Sequence, residues 1–119
     1  MSNYQIMHEF SIVMNILAIV EENAKNLHAE TVREIEIDIG ELSGIDYDAL
    51  EFAMQYSKKG ELLENAKLVI NKIPAKARCK SCNHQFDIRD FYTPCPKCNQ
   101  FNHEILQGKE LKVKAIKID

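Results

Sequence analysis

The sequence predicts an α+β fold: two helices on one face of a mixed three-stranded sheet, with a cysteine-bearing module inserted before the last strand. Three observations predict it. Apolar residues recur at three- and four-residue steps over residues 9–27, the signature of an amphipathic helix. Isoleucines alternate with acids over 32–39, the signature of a half-buried strand. Four cysteines fall together in a short basic segment, and a further strand-like run follows them.

In the first helix Phe10, Val13, Met14, Leu17, Val20, Ala24 and Leu27 form the apolar stripe. Glu21, Glu22, Lys25 and Asn26 fall largely on the opposite face, and the stripe is expected to be core. In the first strand Ile35, Ile37 and Ile39 point one way and Glu34, Glu36 and Asp38 the other, until Gly40 ends it. A loop containing Gly44 leads to Asp46, whose carboxylate can accept from the free N–H groups of a second helix. That helix buries Leu50, Ala53 and Met54, and Gly60 is expected just past its end. Lys67 to Ile73 is the second strand, with Leu68 and Ile70 inward and Pro74 as its stop. The third strand, Glu110 to Ile118, changes phase after Ala115 and is expected to carry a bulge there. Its lysines complement the acids of the first strand. A strand–helix–strand unit favours a parallel pair, and the third strand, returning after a long excursion, can pair antiparallel.

The chain has 119 residues, 45% hydrophobic and 28% charged, as in ordinary globular proteins. Its longest apolar run, Ile16 to Val20, is far short of the roughly 20 residues of a membrane helix. The first ten residues show no basic stretch followed by an apolar one, so no secretory signal is expected, and the expected location is the cytoplasm. A net charge of −3 excludes a global basic field for nucleic acid. The charge is uneven, however. Residues 74–109 carry six Lys/Arg and three acids, and the remainder carries nine and fifteen. This shift places boundaries near Pro74 and Gly108, giving one domain of residues 1–73 plus 110–119 and an inserted domain of 74–109.

The inserted segment holds Cys79-Lys-Ser-Cys82 and Cys95-Pro-Lys-Cys98, with twelve residues between the two motifs. A two-residue gap lets a tight turn aim both thiolates at one ion, and two such knuckles complete a tetrahedral four-cysteine site for Zn(II). Four thiolates leave no open position, so the expected zinc is structural and zinc-ribbon-like rather than catalytic. Disulfides fit less well without a secretory signal. A segment this small cannot fold on a core of its own. Phe86, Phe91, Tyr92 and Phe101 can add some packing, but zinc must do most of the organising. His84 and His103 lie near the knuckles in sequence, either as solvated or supporting residues or as a replacement for a thiolate.

Met7-His8-Glu9, then Ile39-Gly40-Glu41-Leu42-Ser43, the two C-x2-C pairs, and Gly108-x-Glu110-Leu111-x-Val113 occur in that order. With these motifs the chain resembles the HypA/HybF family, the nickel-incorporation proteins of [NiFe]-hydrogenase maturation, over residues 7–119. The resemblance implies a nickel metallochaperone, not an enzyme. It implies that His8 is the essential Ni(II) ligand. Met7 and Glu9 would contribute main-chain nitrogens or, for Glu9, a carboxylate, and Asp46 matches an acid that some members place near the nickel. It also implies structural zinc on the four cysteines. The partners it implies are a HypB-type GTPase and the hydrogenase large subunit, with urease served in some organisms and a monomer or homodimer as the assembly. Imidazole and nitrogen donors in a tetragonal arrangement suit Ni(II). The chain departs from the family in one place: Met1 to Ile6 precede Met7, so the Met7 amine would be a peptide amide unless translation starts at Met7.

Two other classes compete. A zinc-ribbon module for nucleic acid or protein binding would use the +3 segment and its aromatics, but four thiolates around Zn²⁺ carry −2 and leave too weak a field for phosphate. A zinc enzyme needs an open coordination position that the four-cysteine pattern lacks.

Overall fold

A computed structural model of the chain describes the backbone of residues 3–119 and the side chains of residues 8–119. The elements run α1 (Asn3–Asn26), β1 (Val32–Gly40), α2 (Tyr47–Ser57), α3 (Gly60–Leu63), β2 (Lys67–Ile73), β3 (Lys76–Cys79), β4 (Gln85–Asp87), β5 (His103–Gln107) and β6 (Leu111–Ile118). The main sheet has the order β2-β1-β6 and is mixed, as expected. Glu30 N–H donates to Asp119 and Gly40 N–H to Glu110, so β6 runs antiparallel to β1. Asn71 bonds Asp38, and Glu41 N–H donates to Ile73, so β2 runs parallel to it. The charge complement of the outer strands is realised: Lys117 reaches Glu34 at 2.9 Å and Lys114 reaches Glu36 at 3.5 Å. Exposed pairs of this kind each contribute only about 0.2–1 kcal/mol.

The chain divides into two compact units. The first comprises Met1–Ile37, Ile45–Ile70 and Val113–Asp119. Its core is Val13, Ile16, Leu17, Val20 and Ala24 from α1, Val32, Ile35 and Ile37 from β1, and Ala49, Leu50, Ala53 and Met54 from α2. Each large aliphatic side chain buried here contributes about 1.5–3 kcal/mol. The stripe expected on α1 is rotated. Ile16 is buried, whereas Met14 and Leu27 are 58% and 62% exposed. Phe10 is half-buried and packs edge-on against Phe52 and Tyr56 of α2.

Helix α1 starts six residues before the expected position, and the Met7-His8-Glu9 segment lies within it rather than ahead of it. No glycine or proline occurs before Gly40, so nothing in the sequence breaks the helix near its start. Its end is a Schellman turn: Ala29 N–H donates to Ala24 and His28 N–H to Lys25, with His28 in the left-handed conformation at φ 57°. Asp46 caps α2 as expected, its Oδ1 accepting from Ala49 N–H at 3.0 Å. Gly60 does not follow α2 directly. The helix closes at Lys58, whose ammonium donates to the Ala66 carbonyl, and Gly60 opens α3. In β6 the half-buried residues are Val113, Ile116 and Ile118, so the change of phase expected around Ala115 is present. Among the described residues no helix is long and apolar enough to cross a membrane.

The second unit comprises Asp38–Gly44 and Asn71–Lys112. It contains a sheet the sequence pattern did not reveal, β4-β3-β5, antiparallel throughout. These strands are only three to five residues long, too short for an alternating pattern to stand out.

Candidate metal centre

The four cysteine sulfurs lie within 4.8 Å of one another, and none is in a disulfide. Cys79 Sγ is 3.5 Å from Cys98 Sγ, and Cys82 Sγ is 3.7 Å from Cys95 Sγ. A tetrahedral ion with Zn–S bonds of about 2.3 Å sets its sulfurs about 3.8 Å apart, so the donor set fits Zn²⁺ in both chemistry and spacing. Cys79 and Cys95 are fully buried, and Cys82 and Cys98 are half-buried.

The two knuckles are built alike. Asn83 N–H donates to the Cys79 carbonyl and Asn99 N–H to the Cys95 carbonyl, each at 2.8 Å. Cys79 N–H then bonds the His84 carbonyl, and Cys95 N–H bonds the Gln100 carbonyl, each at 2.9 Å. Asn83 and Asn99 both have positive φ, 63° and 62°, the left-handed region that asparagine tolerates better than most residues. The repeated Cys-x-x-Cys-Asn in the sequence is the signal that marks these two positions.

The same turns shift the thiols. The Cys82 N–H, helped by that of Ser81 and by neighbouring thiols, lowers Cys79 to about 6 against the cost of burial. At Cys98 the Gln100 N–H pulls down, but burial and the crowding of the other three sulfurs push it up to about 12. Four thiols this close cannot all ionise alone, and a bound dication is what would make four thiolates compatible.

Around the sulfurs the buried residues are Ala75, Ala77, Phe86 and Ile88, with Leu42 and Ile105 packed against them. Of the four aromatics expected here only Phe86 is buried; Phe91, Tyr92 and Phe101 are 49%, 81% and 66% exposed. Ala75, Ala77, Phe86 and Ile88 fill the space beside the cysteines, and the other three rings stay outside. His84 stacks on Phe86 and His103 meets the same ring edge-on, and neither belongs to the metal-holding group.

The glycine motifs are structural. A Cβ on Gly40 would lie 1.9 Å from the Gly108 carbonyl oxygen, so the two backbones pass in contact. Gly108, at φ 117°, sits close to Ala75 in the same way. Hydrogen bonds fasten the crossing: the Glu110 carboxylate accepts from Gly108 N–H at 2.7 Å, and Leu42 N–H donates to the Gly108 carbonyl at 2.7 Å.

At the start of the chain, the His8 side chain is 48% exposed and Glu9 is fully buried, with His8 Nδ1 and Glu9 Oε1 3.4 Å apart. Met7's side chain lies outside the described residues. The amide nitrogens of Met7, His8 and Glu9 fall inside α1, where each points at a carbonyl one turn back. Asp46 spends one carboxylate oxygen on its helix cap. Among the described residues the only group of three or more Cys, His, Asp and Glu with metal-holding geometry is the four cysteines. His8, Glu9 and Asp46 are therefore not brought together as a preformed three-donor set.

Comparison with known proteins finds matches over nearly the whole chain. The family described as hydrogenase/urease nickel incorporation, metallochaperone, hypA matches residues 7–118. The hydrogenase maturation factor HypA of Parabacteroides distasonis is 42% identical over 112 residues, covering 94% of this chain and 97% of that protein. That of Geobacter metallireducens is 35% identical, covering 95% and 100%. The solution structure of the Ni metallochaperone HypA from Helicobacter pylori superposes with a TM-score of 0.66 at 28% identity, covering 92% of this chain and 96% of that one. A second HypA solution structure gives 0.68 at 30% identity, covering 94% and 96%. The chain belongs to the HypA family of nickel-incorporation metallochaperones that serve hydrogenase maturation.

Proposed function

We propose that this protein binds Ni(II) through His8 and passes it to a [NiFe]-hydrogenase large subunit, with a HypB-type GTPase as its working partner, while the four cysteines hold a permanent Zn(II). Delivery to urease belongs to the same reading. The observation that carries it is the exposure of the His8 imidazole near the start of α1, in the Met7-His8-Glu9 segment at which the family match begins. A delivery protein needs a site that metal can leave, and an exposed imidazole provides one where a closed thiolate cage does not. The inserted segment is a zinc domain in this reading, and the nickel site belongs to the α/β domain. Asp46 is available as an additional oxygen donor only through the oxygen its cap leaves free.

His8→Ala is expected to abolish specific Ni(II) binding while zinc content stays at the parental value and the chain stays folded, with some loss of thermal stability because the ring beside the buried Glu9 carboxylate is removed. Isothermal titration with Ni²⁺, beside metal analysis, tests it. Parental nickel affinity in the variant would remove His8 from the site.

The extension gives a second expectation. Ligation by main-chain nitrogen requires the first turns of α1 to unwind, and with Met1–Ile6 present the Met7 nitrogen is an amide that must lose a proton to bind. The full chain should therefore bind Ni(II) more weakly and more pH-dependently than a chain starting at Met7, whose free amine can close a five-membered ring with the His8 nitrogen. Calorimetry and visible absorption on both forms decide. Equal affinities and identical spectra would show that the Met7 nitrogen is no ligand.

A further inference from the structure

We propose that the four-cysteine site is also a site of reversible oxidation by hydroperoxides: its sulfurs join across the two knuckles, Cys79 to Cys98 and Cys82 to Cys95, and the zinc is given up. The proposal rests on the reading of the four cysteines as a zinc site, and it makes that zinc permanent only while the sulfurs remain thiolates. Two sulfur contacts carry it. Cys79 Sγ stands 3.5 Å from Cys98 Sγ and Cys82 Sγ 3.7 Å from Cys95 Sγ, so each contact crosses from one knuckle to the other. A disulfide bond is about 2.05 Å long, so each sulfur closes it by moving less than about 1 Å. Burial settles access. Cys82 and Cys98 are half-buried, and Cys79 and Cys95 are fully buried. Each contact therefore pairs a sulfur that a small oxidant can reach with one that only its neighbour can reach.

That is the arrangement of an attacking and a resolving cysteine. The thiolate of Cys82 or Cys98 attacks the O–O bond, keeps one oxygen as a sulfenic acid and releases the other as an alcohol, or as water from hydrogen peroxide. The buried thiolate across the contact then attacks the sulfenic sulfur, forms the S–S bond and expels hydroxide, which takes a proton and leaves as water. Each bond thus consumes two thiolates, one hydroperoxide and two protons, and yields one disulfide, one alcohol and one water. Disulfide sulfur is no longer a thiolate and does not hold zinc. The new links replace the tie that the ion made between the knuckles. They join residues 19 and 13 positions apart, whereas a link within either Cys-x-x-Cys would close a far shorter loop. Longer loops constrain the unfolded chain more. With only Ala75, Ala77, Phe86 and Ile88 buried beside the sulfurs, that constraint keeps the β4-β3-β5 sheet folded without the metal.

The test adds hydrogen peroxide to the full zinc-bearing chain without nickel, beside a peroxide-free control. A chromophoric chelator reads the zinc, and mass spectrometry after non-reducing proteolysis maps the disulfides. Zinc should fall from one per chain to none as two peroxides per chain are consumed, while the control keeps its metal. The crosslinks should be Cys79–Cys98 and Cys82–Cys95, and the amide signals of β3–β5 should stay dispersed. A dione trap present from the start should label Cys82 or Cys98. Dithiothreitol with Zn²⁺ should reload the site. Crosslinks Cys79–Cys82 and Cys95–Cys98 overturn the proposal. So do trapping on Cys79 or Cys95, amide signals that collapse to unstructured positions, and a site that does not reload. A chain that holds no zinc before peroxide is added fails the zinc reading and the proposal together, whereas zinc that stays bound under peroxide fails the proposal alone.

Discussion

Cys79→Ala is expected to release the zinc and dissolve the β4-β3-β5 sheet, while the helices of the first unit stay folded. Cys79 is fully buried, 3.5 Å from Cys98, and its carbonyl and N–H close the first knuckle. Few other residues hold this unit: the buried set beside the cysteines is two alanines, one phenylalanine and one isoleucine. A core of that size does not balance the entropy of ordering about 50 residues. Zinc binding by small Cys-rich modules supplies about 10–16 kcal/mol, a large offset to that entropy. Metal analysis should fall from one Zn²⁺ per chain to none after dialysis, and amide signals of β3–β5 should collapse to unstructured positions while far-UV helicity persists. Full zinc retention, or a zinc-free module with native amide shifts, would contradict this. The metal should also be lost in acid. A thiol must shed its proton to bind zinc, so falling pH protonates the ligands and weakens the site. Cys79, lowered to about 6, is less prone to take its proton back than Cys98, pushed up to about 12.

Gly40→Ala is expected to be the most damaging substitution away from the cysteines. The new methyl would meet the Gly108 carbonyl oxygen at 1.9 Å, its carbon at 2.1 Å and the Lys109 nitrogen at 2.6 Å. All three are backbone atoms and cannot rotate away. Either the crossing opens, with loss of the Leu42-to-Gly108 and Gly40-to-Glu110 bonds, or the strands shift. The cost should reach or exceed about 3 kcal/mol, the upper end for overpacking. Gly44→Ala provides the contrast. At φ 77° with nothing within 4 Å, it should cost only the roughly 1–2 kcal/mol of a left-handed backbone. Thermal unfolding with a chromophoric zinc chelator present reads both. A Gly40→Ala protein no less stable than Gly44→Ala would mean that the backbones do not pass in contact.

Gly40 and Gly108 show how far local pattern reaches. Ile39-Gly40-Glu41-Leu42-Ser43 and Gly108-x-Glu110-Leu111 are visible as motifs, yet nothing local says that residues 68 positions apart touch. The same limit explains Phe91, Tyr92 and Phe101. Their apolar character suggests packing, but the space beside the sulfurs is closed by Ala75, Ala77 and Ile88, and the rings are left outside.

What depends on neighbours along the chain was legible in the amino acids alone. The period of the isoleucines set β1 and its buried face, Asp46 set the start of α2 through its own side chain, and the two-residue gaps set the knuckles. Each is a short-range geometric rule, complete within a few residues. Packing in three dimensions settled which side of α1 is core, where the backbones cross at Gly40 and Gly108, and that Glu9 is buried while His8 beside it is not. Those outcomes depend on what lies against each residue, and the partners come from distant parts of the chain.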